Sequence, residues 1–316
     1  YGQPASGPGP DDLAEAGLTG CVRAAIAAPS IHNTQPWRFR IRAGGIDVFA
    51  DWTRRLEVID PSGREMLISV GAAVINALHV AGKNIAEVKL ATSGAGAAGI
   101  ACLDMLVALG LKPENILALD RDGVLYEGRA HLDADKARYA RRTDKRSLAE
   151  IVDGADIFLG LSAGGVLKPE MVATMAARPI IFALANPYPE ILPDDAKAVR
   201  PDAIIGTGRS DYPNQINNAL CFPYIFRGAL DVGATCINED MKRACVYAIA
   251  ELARKEASDL GTAYSGDTPK FGDQYLIPRP FDPRLLISLA PAVAEAAILS
   301  GVATRDMPDI NLYRDQ

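Results

Sequence analysis

Residues 88–99 read Val-Lys-Leu-Ala-Thr-Ser-Gly-Ala-Gly-Ala-Ala-Gly, a short apolar strand that runs into the pattern Gly-x-Gly-x-x-Gly and then into an apolar helix. In this pattern Gly94 allows a tight turn, Gly96 lets a pyrophosphate approach the backbone, and Gly99 permits close packing of the helix on the strand. The amino end of the helix then faces the anion. The stretch therefore predicts a dinucleotide-binding unit; the alternative is a glycine-rich turn without a ligand.

The next predicted strand ends at an acidic residue. Asp120 lies about 20 residues after Gly99, which is the spacing of a carboxylate that hydrogen-bonds the ribose hydroxyls of NAD. Arg121 follows directly and would suit the 2′-phosphate of NADP. Both coenzymes therefore stay open.

From residue 87 onwards, short apolar strands alternate with helical stretches, the pattern of βαβ units and a parallel sheet. We therefore predict an α/β fold, a Rossmann-like parallel sheet flanked by helices. The predicted strands are 88–92, 116–119, 157–159, 180–183 and 203–206. The predicted helices are 97–109, 134–140, 147–152, 168–175, 238–255 and 283–300.

The first part of the chain has a different pattern. Residues 1–12 are rich in Gly, Pro and Ser and predict a flexible tail. Apolar residues recur at helical spacing over 13–28, and two alternating stretches around Gly44 and Gly45 predict a β-hairpin over 37–49. An Ala-rich helix is expected over 69–81. The α/β part is thus preceded by a small helix-plus-hairpin α+β segment.

Composition excludes several classes of function. The chain has 316 residues, a net charge of −6 and a pI of about 5.2. It therefore has no net positive charge that would attract nucleic acid or an anionic membrane surface. It has no apolar run of about 20 residues and no signal-peptide pattern near Tyr1, so we expect a cytoplasmic protein. The five cysteines suit reduced thiols, and the three scattered histidines argue against zinc.

Polar residues follow several predicted strands, where ligands bind in open α/β sheets. Ser162 and Asn186 each follow a strand, and the run 214–218 contains three asparagines. Arg209 and Asp211 lie between these groups and are equally compatible with a surface ion pair.

Several motifs together resemble the NAD(P)-binding domain of bacterial malic enzymes. They are Ser-Gly-Ala-Gly-Ala-Ala-Gly from residue 93, Ile-Phe-Ala-Leu-Ala-Asn-Pro from 181, Gly-Arg-Ser-Asp-Tyr-Pro-Asn-Gln-Ile-Asn-Asn from 208, Phe-Arg-Gly-Ala-Leu-Asp-Val from 226 and Pro-Phe-Asp-Pro-Arg-Leu from 280. The resemblance covers 74–316. It implies that Gly94, Ala95, Gly96 and Ala97 hold the coenzyme pyrophosphate. Gly99, Asp120 and Ser162 complete the expected coenzyme set, and Asn186 and Asn218 would contact nicotinamide or malate. Tyr188 and Cys221 depart from the family pattern, which usually has Asp and Gly there.

Residues 13–73 resemble a different family. The stretches 28–39 and 60–73 are similar to the opening of flavin-dependent, dormancy-associated nitroreductase-like proteins, which implies that Ser30, Asn33 and Gln35 would lie near FMN. The rest of that family's flavin site has no counterpart here, so we do not expect FMN to bind. The chain is interpreted as a fusion of two fragments.

The malic-enzyme resemblance implies oxidative decarboxylation of malate to pyruvate with NAD(P)⁺ and with Mg²⁺ or Mn²⁺. The family's catalytic Tyr and Lys and its metal carboxylates have no match in this chain, so catalytic residues stay unknown. Asp60 is the nearest candidate for a metal carboxylate, but its position relative to Gly71 differs from the family pattern, so no metal ligand is assigned. Two alternatives stay open, an FMN-dependent flavoprotein and a non-catalytic dinucleotide-binding module. A homo-oligomer also stays open.

Overall fold

A computed structural model describes residues 37–42, 45–50, 64–217, 220–255, 269–280, 282–305 and 313. The chain divides into two compact units, Tyr1–Pro61 and Ser62–Gln316. The predicted helix over 13–28 and the three residues expected near FMN lie outside the described residues.

In the first unit, strands β1 (Trp37–Arg42) and β2 (Gly45–Ala50) form an antiparallel hairpin. Trp37 lies opposite Ala50, and Arg42 lies opposite Gly45. This pairing confirms the predicted hairpin.

The second unit contains a sheet of six strands: β3 (Leu90–Ser93), β4 (Ile116–Asp120), β5 (Gly123–Val124), β6 (Ile157–Gly160), β7 (Ile180–Ala183) and β8 (Ile204–Thr207). Their order across the sheet is β5-β4-β3-β6-β7-β8. All neighbouring strands are parallel except β5, which pairs antiparallel with β4. The predicted Rossmann-like parallel sheet is therefore confirmed, with one additional edge strand.

Both faces of this sheet are buried, because successive side chains of each strand enter different apolar clusters. Ile157 and Leu159 belong to one cluster, whereas Phe158 between them belongs to the other. Ile180 and Phe182 in β7 alternate with Ile181 in the same way. Burial on both faces explains why the strands read as short continuous apolar runs.

Helices connect the strands and cover the sheet. They are α1 (Arg64–Ala81), α2 (Ala97–Ala108), α3 (Ala134–Ala137), α4 (Leu148–Val152), α5 (Pro169–Ala173), α6 (Pro193–Val199), α7 (Phe222–Asp231), α8 (Glu239–Arg254) and α9 (Arg284–Leu299). Within the part of the chain that the structure describes, no helix is both long and apolar enough to cross a membrane.

Some predicted boundaries were wrong. α1 begins at Arg64, earlier than the predicted 69, and the expected join at residues 73 and 74, which stays a prediction, falls inside this helix. The helix predicted over 134–140 ends at Ala137, because the backbone of Arg141 pairs instead with residues 125–127. Helices α6 and α7 had no counterpart among the predictions. Each has a proline in its first turn, a position where proline is compatible with a helix.

Candidate functional site

The strand order reverses between β3 and β6, so the connections from these two strands leave the sheet in opposite directions. In open α/β sheets, ligands bind in the crevice outside the carboxyl ends of such a strand pair. A cleft of about 860 Å³ lies there. Its wall includes the glycine loop after β3, Asp120 at the end of β4 with Arg121 directly after it, and Ser162 after β6. We call it the glycine-loop cleft.

The glycine loop turns sharply at Gly94, whose φ is +107°. The backbone N–H groups of Gly94 and Ala95 donate to the carbonyl oxygen of Leu119 at 2.8 and 3.1 Å. A Cβ atom on Gly94 would lie 2.3 Å from the backbone oxygen of Leu161. Both the backbone angle and the close approach therefore require glycine at this position.

The other two glycines of the motif face opposite surroundings. A Cβ atom on Gly99 would lie 2.0 Å from the carbonyl oxygen of Gly94, so the first turn of α2 packs directly on the loop. A Cβ atom on Gly96 would meet nothing within 4 Å. Gly96 is exposed and caps α2 without a side-chain hydrogen bond, so the N–H groups of the first turn stay available for an anion in the cleft.

The predicted ribose ligand, Asp120, is buried and already paired. Its carboxylate accepts from the guanidinium of Arg129 at 2.7 Å and lies 3.1 Å from the ammonium of Lys136. The backbone N–H of Asp122 also donates to it, at 2.9 Å. Burial alone would raise the pKa of Asp120, but these hydrogen bonds outweigh it and the pKa is lowered. The carboxylate therefore stays ionised, while Arg121 beside it is exposed.

Ser162 lies where the sequence predicted, at the carboxyl end of β6. Its hydroxyl oxygen is 2.7 Å from that of Ser93, the last residue of β3. The backbone N–H of Ser162 donates at 2.9 Å to the carboxylate of Glu190, which is fully buried. The two serines thus link the adjacent strands β3 and β6 at the floor of the cleft.

Asn186 lies in a second, neighbouring cleft of about 530 Å³, which we call the Asn186 cleft. Tyr188 lines it as well, and Gly165 and Lys168 line both clefts, so the clefts share a wall. A Cβ atom on Gly208 would lie 3.1 Å from the side-chain nitrogen of Asn186, so this amide lies between the loops after β7 and β8.

Two of the asparagines in the run 214–218 were considered as part of the site, Asn218 and Asn214. Asn218, the second predicted substrate residue, lies outside the described residues. The Asn214 side chain is buried, donates to the carbonyls of Ile205 and Asp273, and accepts from the N–H of Leu276, which makes it a structural residue. The pair Arg209 and Asp211 is bidentate, at 2.8 and 2.5 Å, and Asp211 is exposed.

Sequence reasoning missed three charged residues of the site: Arg129, Lys136 and Glu190. Arg129 and Lys136 follow β5 and reach back to Asp120, and Glu190 reaches back from the loop after β7. None of the three belongs to a short motif, so spacing carried no signal for them. Among the described residues, no group of three or more His, Cys, Asp or Glu side chains is arranged to hold a metal ion.

Comparison with known proteins gives a consistent result. The family model "Malic enzyme, NAD binding domain" matches residues 67–265. An NAD-dependent malic enzyme of Rhizobium meliloti (strain 1021) is 61% identical over 79% of this chain and 33% of its own length. An NADP-dependent malic enzyme of Escherichia coli (strain K12) is 59% identical over 78% of this chain and 33% of its own length. The chain thus spans about a third of the length of these two relatives.

Solved structures agree with the sequence comparison. The malic enzyme of Entamoeba histolytica is similar with a TM-score of 0.69 and 33% identity, over 80% of this chain and 51% of that one. The malic enzyme of Pyrococcus horikoshii has the same TM-score with 36% identity, over 80% of this chain and 57% of that one.

Proposed function

Since the chain belongs to the malic enzyme family, through that family's NAD-binding domain, we propose that it binds NAD⁺ or NADP⁺ in the glycine-loop cleft. The observation that carries this proposal is the contrast within the motif. Gly94 and Gly99 are closed in by backbone atoms, whereas Gly96 opens on the cleft beside the first turn of α2. A loop of this shape accepts a pyrophosphate where a side chain would block it.

We assign the parts of the coenzyme to particular residues. The backbone from Gly94 to Ala97 holds the pyrophosphate, and the positive end of α2 stabilises its charge. Asp120 faces the adenosine ribose, with Arg129 and Lys136 fixing its carboxylate. The hydroxyl of Ser162 contacts the coenzyme from the opposite side of the cleft.

We propose that the reaction served by this domain is the oxidative decarboxylation of malate to pyruvate. NAD(P)⁺, when bound, supplies the acceptor for the hydride. Asn186 and Asn218 orient malate and the nicotinamide amide, since an amide side chain offers both donors and an acceptor. The family's catalytic Tyr and Lys, which would transfer the protons, have no match in this sequence. No described cluster suits Mg²⁺ or Mn²⁺, so no step is assigned to a metal.

For residues 13–73 we propose a fragment of a nitroreductase-like protein that does not bind FMN by itself. The support is the sequence resemblance of the stretches 28–39 and 60–73, together with a predicted content of one helix and one hairpin. Such a segment buries too little apolar surface to form a stable flavin pocket. A homo-oligomeric state and a cytoplasmic location are likewise proposals from the sequence.

Calorimetric titration with NAD⁺ and with NADP⁺ tests the coenzyme site. We expect Gly96→Val to abolish measurable binding, because the branched side chain would occupy the approach of the pyrophosphate. Gly272→Val is the matched control, because a Cβ atom there also meets nothing within 4 Å. The proposal is wrong if Gly96→Val binds the coenzyme as tightly as the unmutated chain and the Gly272→Val control.

A further inference from the structure

Glu190 is a fully buried carboxylate that belongs to neither the glycine loop nor the ribose site. One carboxylate oxygen accepts the backbone N–H of Ser162 at 2.9 Å, and the other accepts the backbone N–H of Ala185 at 3.1 Å. Ser162 follows β6 and Ala185 follows β7. A single side chain therefore joins the loops that leave two adjacent parallel strands.

Main-chain hydrogen bonds extend this connection. The N–H of Gly165 donates to the carbonyl of Pro189, and the N–H of Leu167 donates to the carbonyl of Glu190, both at 3.0 Å. The loop from Ser162 to Leu167, part of which forms the shared wall of the two clefts, thus rests on the segment 189–190. Gly160, at the end of β6, leaves room for this arrangement, since a Cβ atom there would lie 2.3 Å from the carboxylate carbon of Glu190.

The connection continues into the glycine-loop cleft through a hydroxyl. Ser162 is exposed to the cleft, and its Oγ lies 2.7 Å from Oγ of Ser93 and 3.5 Å from the Glu190 carboxylate. Glu190 itself does not line this cleft; it lines the Asn186 cleft. The Glu190 side chain therefore meets the lining of the glycine-loop cleft at Ser162.

We propose that Glu190 is a positioning residue for coenzyme binding: it holds Ser162 so that its hydroxyl points into the glycine-loop cleft. This inference rests on the proposed function of that cleft. A carboxylate suits the position because two N–H donors need two acceptor oxygens, whereas glutamine offers one acceptor and one NH₂ donor. Burial of a charged group costs stability unless hydrogen bonds compensate it, and here both partners lie on the loops that line the clefts.

The test compares Glu190→Gln with a matched control, Asp156→Asn. Glu190 contacts Ser162 beyond the carboxyl end of β6, whereas Asp156 lies at the amino end of that strand. Asp156 immediately precedes β6, and its carboxylate accepts the backbone N–H of Lys89 at 2.8 Å and pairs with Lys83. Asp156→Asn therefore removes a comparable carboxylate far from the clefts. Affinities for NAD⁺ and NADP⁺ are measured by calorimetry on both variants, well below their midpoints of thermal unfolding.

We expect Glu190→Gln to weaken coenzyme affinity about tenfold, which corresponds to about 1.4 kcal/mol, while Asp156→Asn leaves it within twofold. Ser162→Ala leaves the carboxylate in place and should weaken affinity at least threefold. In the Ser162→Ala background, Glu190→Gln should cost less than threefold more, because the hydroxyl that it positions is absent. A purely structural role would give the same loss in both backgrounds.

Three results would overturn the inference: unchanged affinity in Glu190→Gln, equal losses in the two backgrounds, or unchanged affinity in Ser162→Ala. The last of these decides the matter even if Glu190→Gln does not fold. Failure of the proposed function looks different, since the unmutated chain would then bind neither coenzyme, and the inference would fall with it.

Discussion

Arg129 hydrogen-bonds both to the Asp120 carboxylate and to the backbone of the turn that follows Asp120. The guanidinium donates to the Asp120 carboxylate at 2.7 Å and, through its other terminal nitrogen, to the carbonyls of Gly123 and Val124 at 2.9 and 3.1 Å. The side chains of Asp120 and Arg129 are only 8% and 11% exposed. The Arg129 guanidinium therefore joins the short strand β5 to the carboxylate at the edge of the glycine-loop cleft.

Replacing Arg129 should therefore lower stability clearly. Breaking one partner of a buried ion pair costs about 3–5 kcal/mol, and since Lys136 still neutralises Asp120, we expect Arg129→Met to lie at the lower end, about 3 kcal/mol. Urea denaturation measures the change in the free energy of unfolding. Arg121→Gln is the control, because Arg121 is 93% exposed and its replacement should stay within about 0.5 kcal/mol. Equal effects of the two substitutions would contradict this prediction.

The same carboxylate predicts a dependence of stability on pH. The pKa of Asp120 is lowered below its ordinary value of 3.8 in the folded chain, so its stabilisation is present above that value and is lost as the pH falls through the folded-state pKa. We expect the free energy of unfolding of the unmutated chain to exceed that of Asp120→Asn by a constant amount near neutral pH. Below about pH 4 the difference should shrink. A difference that grows with acid would show that the pKa is raised.

Substitutions at Gly94 and Gly110 distinguish two costs of replacing a glycine: the strain of a positive φ angle and the collision of the added Cβ atom with neighbouring backbone. Their φ angles are +107° and +111°, but a Cβ atom on Gly110 would approach only a methyl group of Ile85, at 3.3 Å, whereas on Gly94 it would collide with the backbone of Leu161. We expect Gly110→Ala to cost about 1–2 kcal/mol of stability from the backbone angle alone. Gly94→Ala should cost more, and it alone should weaken coenzyme binding. Denaturation and calorimetry on both variants measure these effects, and similar losses of stability and affinity would refute the role of Leu161.

Turnover of malate by this chain should be negligible, even with saturating NAD(P)⁺ and Mn²⁺. Each missing proton-transfer group costs about 10²–10⁴ in rate, and the chain offers no identified base or acid. The measurement follows the absorbance of reduced nicotinamide with and without malate, on a sample already shown to bind coenzyme. Turnover of about 1 per second or faster would mean that other residues of the chain supply the acid and the base. Binding without turnover would also fit a non-catalytic dinucleotide-binding module.

The chain should not retain FMN. Gel filtration after incubation with excess FMN, followed by the visible spectrum of the protein peak, provides the measurement. We expect no flavin absorbance, because the predicted helix and hairpin of the first unit offer too little buried surface. Stoichiometric FMN in the peak would revive the flavoprotein alternative.

The predictable parts of the fold and site are those encoded in local sequence. The strand, the three glycines and the helix of residues 88–108 are contiguous, so their pattern alone indicated the βα unit, and Asp120 followed from spacing. Glu190 could not be found in this way, because its partners belong to loops that only the completed sheet brings together. Lys136 was hidden for the same reason. Helix α7 was missed because a proline beside its start resembles a break when the rest of the fold is unknown.

The lengths of the two edge strands also determine how readily the sheet can pair with another polypeptide. Strand β5, at one edge, has only two residues, and β8, at the other edge, has four. Thr207 of β8 also forms an isolated bridge with Gln215. Long, flat edge strands act as templates for edge-to-edge pairing and aggregation, and short ones protect against it. Both borders of this sheet thus offer a second polypeptide very little backbone to pair with.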